Sequence, residues 1–133
     1  MEKEWSFKVF VSEKGISEII EWKNKLPKRF RARIDRIVAH LETQKDMRCK
    51  WFKHYRDDIY ELRLTHNTIE YRPLGCFGSR ENEFTLLVTA EEKGSKLVPR
   101  NAFLTAQKRR TLILKENKDT EDGKDRRYVD DYV

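Results

Sequence analysis

Apolar positions change their period along the chain, and the changes mark out elements. Trp5, Phe7, Val9 and Val11 recur at every second position, with Ser6 and Lys8 between the first three, the pattern of a half-buried strand that Ser12 punctuates. Ile16, Ile19, Ile20 and Lys23 then share one helical face up to Leu26-Pro27, where the proline ring disfavours helix at the residue before it. Phe30, Ile34, Ile37, Val38 and Leu41 follow at i, i+4, i+7, i+8 and i+11, with Arg29, Arg31, Arg33 and Arg36 on other faces. The spacing predicts two helices joined as a hairpin.

Residues 46–58 have no sustained period and read as an ordered loop. Three strand-like runs come next, at 59–65, 68–74 and 83–90. His66-Asn67 fits a tight turn between the first two, because Asn tolerates positive φ. A two-residue loop there pairs Thr65 with Thr68, Leu64 with Ile69, Leu62 with Tyr71 and Glu61 with Arg72, and sets Arg63 opposite Glu70. Pro73 cannot donate to a ladder, so the second strand is expected to stop at Arg72. Gly75, Gly78 and Asn82 make the next connection, and Pro99 opens a last helix whose Phe103, Ala106 and Ile113 face the sheet. The expected architecture is α+β: an antiparallel sheet packed against an N-terminal helical hairpin and a C-terminal helix.

Composition narrows the setting. A chain of 133 residues, 38% hydrophobic and 39% charged, supports one small domain. Its apolar runs, such as Val9-Phe10-Val11 and Leu86-Leu87-Val88, fall far short of the ~20 residues that cross a bilayer. Met1-Glu2-Lys3-Glu4 opens without an apolar stretch behind it, so a cytoplasmic location and no membrane partner are expected. Cys49 and Cys76 lie far apart with no CxxC or paired His, which favours free thiols over a metal site.

Charge is unevenly spread. The formal net charge is +6, but residues 115–133 hold 5 basic and 7 acidic residues, which leaves 24 basic and 16 acidic residues before them, a net +8. That excess attracts polyanions, nucleic acid among them. The last stretch has few aliphatics and reads as a charged flexible tail, 115–133, behind a domain at 1–114. Its acidic residues could compete for the basic face.

Tyr60-Glu61-Leu62-Arg63, Tyr71-Arg72, Phe84-Thr85-Leu86-Leu87, Lys93 and Lys96 ahead of Pro99, and Ala106 with Lys108-Arg109 together resemble the RelE/ParE toxin superfamily, in its phage-derived HigB-like branch. The resemblance runs over about residues 5–114. It implies the toxin of a type II toxin-antitoxin pair, held by a cognate antitoxin and acting with the ribosome on mRNA as a metal-independent endoribonuclease without cofactor. The alternatives are a ParE-like toxin that inhibits gyrase and a non-catalytic phage-derived binding protein.

Cleavage of that kind has the ribose 2′-hydroxyl attack the neighbouring phosphate, so charge on phosphate oxygens must be balanced and a proton moved. Permanently charged, forked guanidinium groups suit the first task, which makes Arg72 and Arg63 the leading candidates, with Lys93 beside them. Lys93 and Lys96 stand in a Gly-containing loop where relatives carry an aromatic residue and paired lysines, while this chain has Ala90-Glu91-Glu92 before Lys93. Opposed carboxylates give the arginines an ordinary reading too, as cross-strand ion pairs.

For the proton, His54, His66 and Glu61 are open alternatives, with Tyr71 expected in the core. The interleaved cations and rings of Arg48, Lys50, Trp51, Phe52, Lys53, His54, Tyr55 and Arg56 suit single-stranded RNA, with Lys50, Lys53, His54, Arg56 and Lys96 as its contacts. Trp51 and Phe52 can equally serve as a lid on the core.

Overall fold

The computed structural model describes residues 2–78, 80–119 and 128–132. Strand β1 (Ser6–Phe10) leads into helices α1 (Glu18–Asn24) and α2 (Lys28–Glu42). The Ser17 hydroxyl caps α1 by accepting from the Ile20 N–H at 3.2 Å, and α1 ends before Pro27. Strands β2 (Phe52–Arg56), β3 (Ile59–Leu62), β4 (Leu64–His66), β5 (Ile69–Tyr71), β6 (Leu74–Phe77), β7 (Glu83–Val88), β8 (Glu91–Lys93) and β9 (Lys96–Val98) follow. Helix α3 (Ala102–Asp119) and strand β10 (Val129–Asp131) complete the α+β fold.

Two sheets form, ordered β10-β1-β7-β6-β3-β2 and β4-β5-β8-β9. The larger is mixed, because β1 runs parallel to β7; the expectation of a purely antiparallel sheet fails at that pair. A helical hairpin inserted after β1 carries the chain away from the next antiparallel position, and a parallel pairing needs such a crossover.

Residues alternate between two clusters. Phe7, Val9, Phe84 and Leu86 pack with Ile19 of α1 and with Phe30, Ile34, Ile37, Val38 and Leu41 of α2. Phe10, Leu74, Cys76 and Leu87 pack with Ala102, Ala106 and Ile113 of α3. All six residues of β7 are buried, as expected of a central strand covered on both sides, and each fully buried large apolar side chain contributes about 1.5–3 kcal/mol.

Four readings from sequence are corrected. Residues 52–56 are strand, not loop: β2 pairs with β3, and its one fully buried residue, Phe52, leaves too little pattern to detect. The 59–74 hairpin turns one residue later, at Asn67-Thr68, both with positive φ (50° and 67°), as a type I′ turn demands. Leu64 therefore meets Tyr71, Thr65 meets Glu70 and His66 meets Ile69, so the expected pairs of Glu61 with Arg72 and Arg63 with Glu70 do not form. The faces survive because the shift moves each partner by two positions.

Nor are the three long runs continuous strands. Ladders break at Arg63, at Arg72-Pro73 and at Thr89-Ala90, where the hairpin crosses from the larger sheet to the smaller. Pro73 has no N–H to offer; its carbonyl accepts from the Leu62 N–H, while the Arg72 N–H turns to Ala90 O at 2.7 Å.

Beyond 114 the chain is not uniformly irregular. Helix α3 continues to Asp119, and β10 pairs antiparallel with β1, burying Tyr128 and Tyr132. The Tyr132 hydroxyl donates to Asp35 of α2 at 2.8 Å, and Tyr128 stacks on Phe10. Two tyrosines supply the apolar surface that the surrounding charges lack. Strand β10 occupies the sheet edge opposite β2; the rest of the proposed tail, residues 120–127, lies outside the described residues.

Candidate functional site

The crossing between the sheets places Arg63 and Arg72, nine residues apart in sequence, in one open groove with Arg33, Lys50, Trp51 and Thr65. Each comes from a different local cause. Arg33 reaches over from the outer face of α2 and donates to Thr65 O at 2.9 Å. Lys50 lies over the Trp51 ring, 4.7 Å from its centroid. Arg63 sits at the break between β3 and β4, its N–H tied to Trp51 O at 2.8 Å.

The two expected phosphate-binding arginines differ sharply in what they have left to give. Arg72 is 4% exposed; one terminal nitrogen donates to its neighbour's carbonyl, Tyr71 O, at 2.9 Å and the other to Glu70 Oε2 at 2.6 Å. Its Nε has no hydrogen-bond partner and lies 3.9 Å from Glu92 Oε1. Arg63 is 35% exposed along its side chain and has a looser partner, Glu61 Oε1 at 3.6 Å. Arg72 is thus held in place by the carboxylate wall of β5 and β8, while Arg63 keeps free donors facing the groove.

Glu61 is the carboxyl that touches Arg63. It is buried, and loss of solvent lifts its carboxyl above the ordinary range; the charges of Arg63, Arg72 and Lys53 pull the other way, and Glu92 adds to the rise. Lys53 stands directly across from it on β2. Glu70, by contrast, is held below its usual value by hydrogen bonds from Arg72 and Thr65. A carboxyl whose pKa is raised by burial, set 3.6 Å from an arginine that lines the groove, can accept a proton beside an anion held by that arginine.

The other expected contacts disperse. His54 points its Nε2 at Asp57 O, 2.6 Å away, within the β2–β3 turn. With Lys53 it borders a different depression, next to Arg48 and Cys49. Arg56 and Lys96 line a further groove with Tyr55, Glu92 and Arg100. Lys93 is exposed at the end of β8, paired with Lys96 across the β8–β9 turn, where Gly94 takes φ 65°. His66 stacks against Phe30, and Tyr71 is buried beside Phe30 and Trp22.

Residues 21–111 match the family described as Phage derived protein Gp49-like (DUF891). The chain belongs to this Gp49-like family. The matched stretch includes the end of α1, all of α2, Glu61, Arg63 and Arg72, and the first part of α3, but not β1 or β10. No curated protein and no solved structure matches significantly.

Sequence reasoning on this Gp49-like chain missed Arg33 and Arg100. Arg33 is one of four arginines on the outside of α2, and nothing in their periodicity distinguishes the one above Thr65. Arg100 follows Pro99 as a single cation in a loop. Glu61 was in view as a proton carrier, but its burial depends on β2 covering it, and β2 was not foreseen.

Proposed function

We propose that this protein is the toxin of a type II toxin-antitoxin pair, a cytoplasmic endoribonuclease that cuts mRNA on the ribosome and is held in check by a cognate antitoxin. The element order and the Tyr60-Glu61-Leu62-Arg63 and Tyr71-Arg72 segments resemble the RelE-like fold, and membership of a phage-derived family agrees with that origin. The observation that carries the reading is the contact of Glu61, a buried carboxyl with a raised pKa, with Arg63, which itself lines a groove shared with Arg33 and Lys50.

In this reading the Glu61 carboxylate takes the proton of a ribose 2′-hydroxyl. The O2′–P bond forms as the P–O5′ bond breaks, leaving a 2′,3′-cyclic phosphate and a 5′-hydroxyl that takes its proton from water. Arg63, with Arg33 and Lys50, balances the charge that builds on the phosphate oxygens. Arg72 acts as a positioning residue, fixing Glu70 and the crossing of the hairpin rather than gripping phosphate itself. Its burial and its hydrogen bonds to Tyr71 O and Glu70 are the reason for moving that role to Arg63.

Induction in growing cells with mapping of RNA ends tests the proposal. Codon-phased cuts in translated mRNA that disappear with Arg63→Ala and Glu61→Gln are expected. Intact RNA with blocked DNA supercoiling would replace the nuclease by a gyrase inhibitor. Normal growth with intact RNA would leave a non-catalytic binding protein.

A further inference from the structure

A second cationic groove lies beside the first and has no part in the proton chemistry. We infer that it is a nucleotide subsite for single-stranded RNA, in which a base stacks on the Arg56 guanidinium and the adjoining phosphates lie against Lys96 and Arg100. The inference rests on the RNA-cutting reading for the origin of the strand, not for its chemistry.

The groove draws its cations from three segments: Arg56 from β2, Lys96 from β9 and Arg100 from the approach to α3. Among the described residues none of the three is in an ion pair, in contrast to Arg63 and Arg72. The Arg56 guanidinium lies over the Phe103 ring at 4.6 Å from its centroid and 5.7 Å from that of Tyr55. An aromatic ring behind a guanidinium holds its plane and leaves the outer face for another flat π-system, which is how arginine stacks on unpaired bases. A bulge between His54 and Arg56 brings Tyr55 to Phe103, 5.8 Å between centroids, and so builds the platform.

One carboxylate, Glu92, lines this groove, and the buried Nε of Arg72 faces it at 3.9 Å, so its charge is partly balanced from behind. Glu92 also marks the boundary with the first groove, which Arg72 lines. A strand leaving the Arg63 groove past Glu92 therefore enters the second one. A protein partner fits less well: Leu97 is the one aliphatic residue among those that line the groove, so it offers little to an apolar anchor.

Fluorescence anisotropy of the full chain with a short labelled single-stranded RNA, measured across salt concentrations, tests this. Replacing both Lys96 and Arg100 by Ala removes two phosphate contacts, so the slope of log K against log salt should flatten by about 1.4 and affinity near 0.15 M salt should fall about tenfold. Arg56→Lys keeps the charge but removes the plane, and should weaken RNA binding while leaving the salt slope unchanged. All three side chains are exposed, so an unchanged melting temperature serves as the folding control. Unchanged affinity and slope in the double variant would overturn the inference. So would a poly-glutamate peptide that binds more tightly than the RNA and loses its binding in the same variant. RNA binding that depends on Lys96 and Arg100 in a wild-type protein that cuts nothing would support the subsite and refute the nuclease.

Discussion

Removing Arg72 and Arg63 one at a time distinguishes an arginine that holds the fold from one that meets the substrate. Arg72→Ala deletes the donors to Tyr71 O and Glu70 and leaves Glu70 facing Glu92, its neighbour across β5 and β8, with no cation between them. Breaking a buried pair costs about 3–5 kcal/mol, but Glu70 and Glu92 are 38% and 33% exposed and water screens them, which brings the cost to about 2 kcal/mol. With an unfolding entropy of about 2.1 cal/mol/K per residue, a chain of 133 residues loses about 3.6 °C per kcal/mol, so Tm should fall by about 7 °C.

Arg63→Ala gives up a pair at 3.6 Å on a half-exposed side chain, worth at most about 1 kcal/mol and about 4 °C. Its cleavage rate, however, should drop by about 10²–10³, the effect of losing one charge-balancing donor. Thermal melts of the purified variants beside cleavage of ribosome-bound mRNA read both quantities. Arg72→Ala that melts like wild type yet cuts nothing would refute the positioning role. Arg63→Ala that cuts at the wild-type rate would refute the site.

Three other outcomes follow from single residues. A Cβ at Gly75 would stand 2.5 Å from the Thr85 carbonyl oxygen and 2.7 Å from the Phe84 ring, so Gly75→Ala should cost about 3 kcal/mol and about 10 °C in Tm; a shift under 2 °C would contradict that contact. Because burial raises the pKa of Glu61 in the folded state, its ionised form opposes folding. Glu61→Gln should therefore be more stable than wild type above that pKa, with the gap closing as pH falls through it, and a gap in Tm independent of pH between 4 and 8 would reverse the argument. Burial pushes the Cys76 thiol up to about 12 while Cys49 is half-buried; a disulfide reagent should modify one thiol in the native protein and the second only after unfolding, and Cys49→Ser should remove the fast phase.

The sequence by itself determined those elements whose side chains repeat with one period against one partner surface. The helix of Phe30, Ile34, Ile37, Val38 and Leu41 is legible because burial of one stripe needs that spacing whatever it packs on. The 5–11 strand and the existence of a hairpin around Asn67 are legible for the same local reason. Of the site, Arg63, Arg72 and Glu61 could be named because they sit in one short recognisable segment and its return strand.

Only the tertiary structure decided which of those groups are free. Charge pairs between strands depend on register, and register here turns on one residue of a turn and on a missing N–H at Pro73, neither of which alters the hydrophobic pattern. Strand β2 was invisible because a strand at a sheet's edge with one buried side chain leaves no period, yet it covers Glu61 and supplies Lys53 and Arg56. Tyr128 and Tyr132 turn a charged stretch into a strand because an open edge of β1 awaits it, a fact held 120 residues away from them. Periodicity is a property of neighbours in the chain, whereas burial of a charge is a property of neighbours in space.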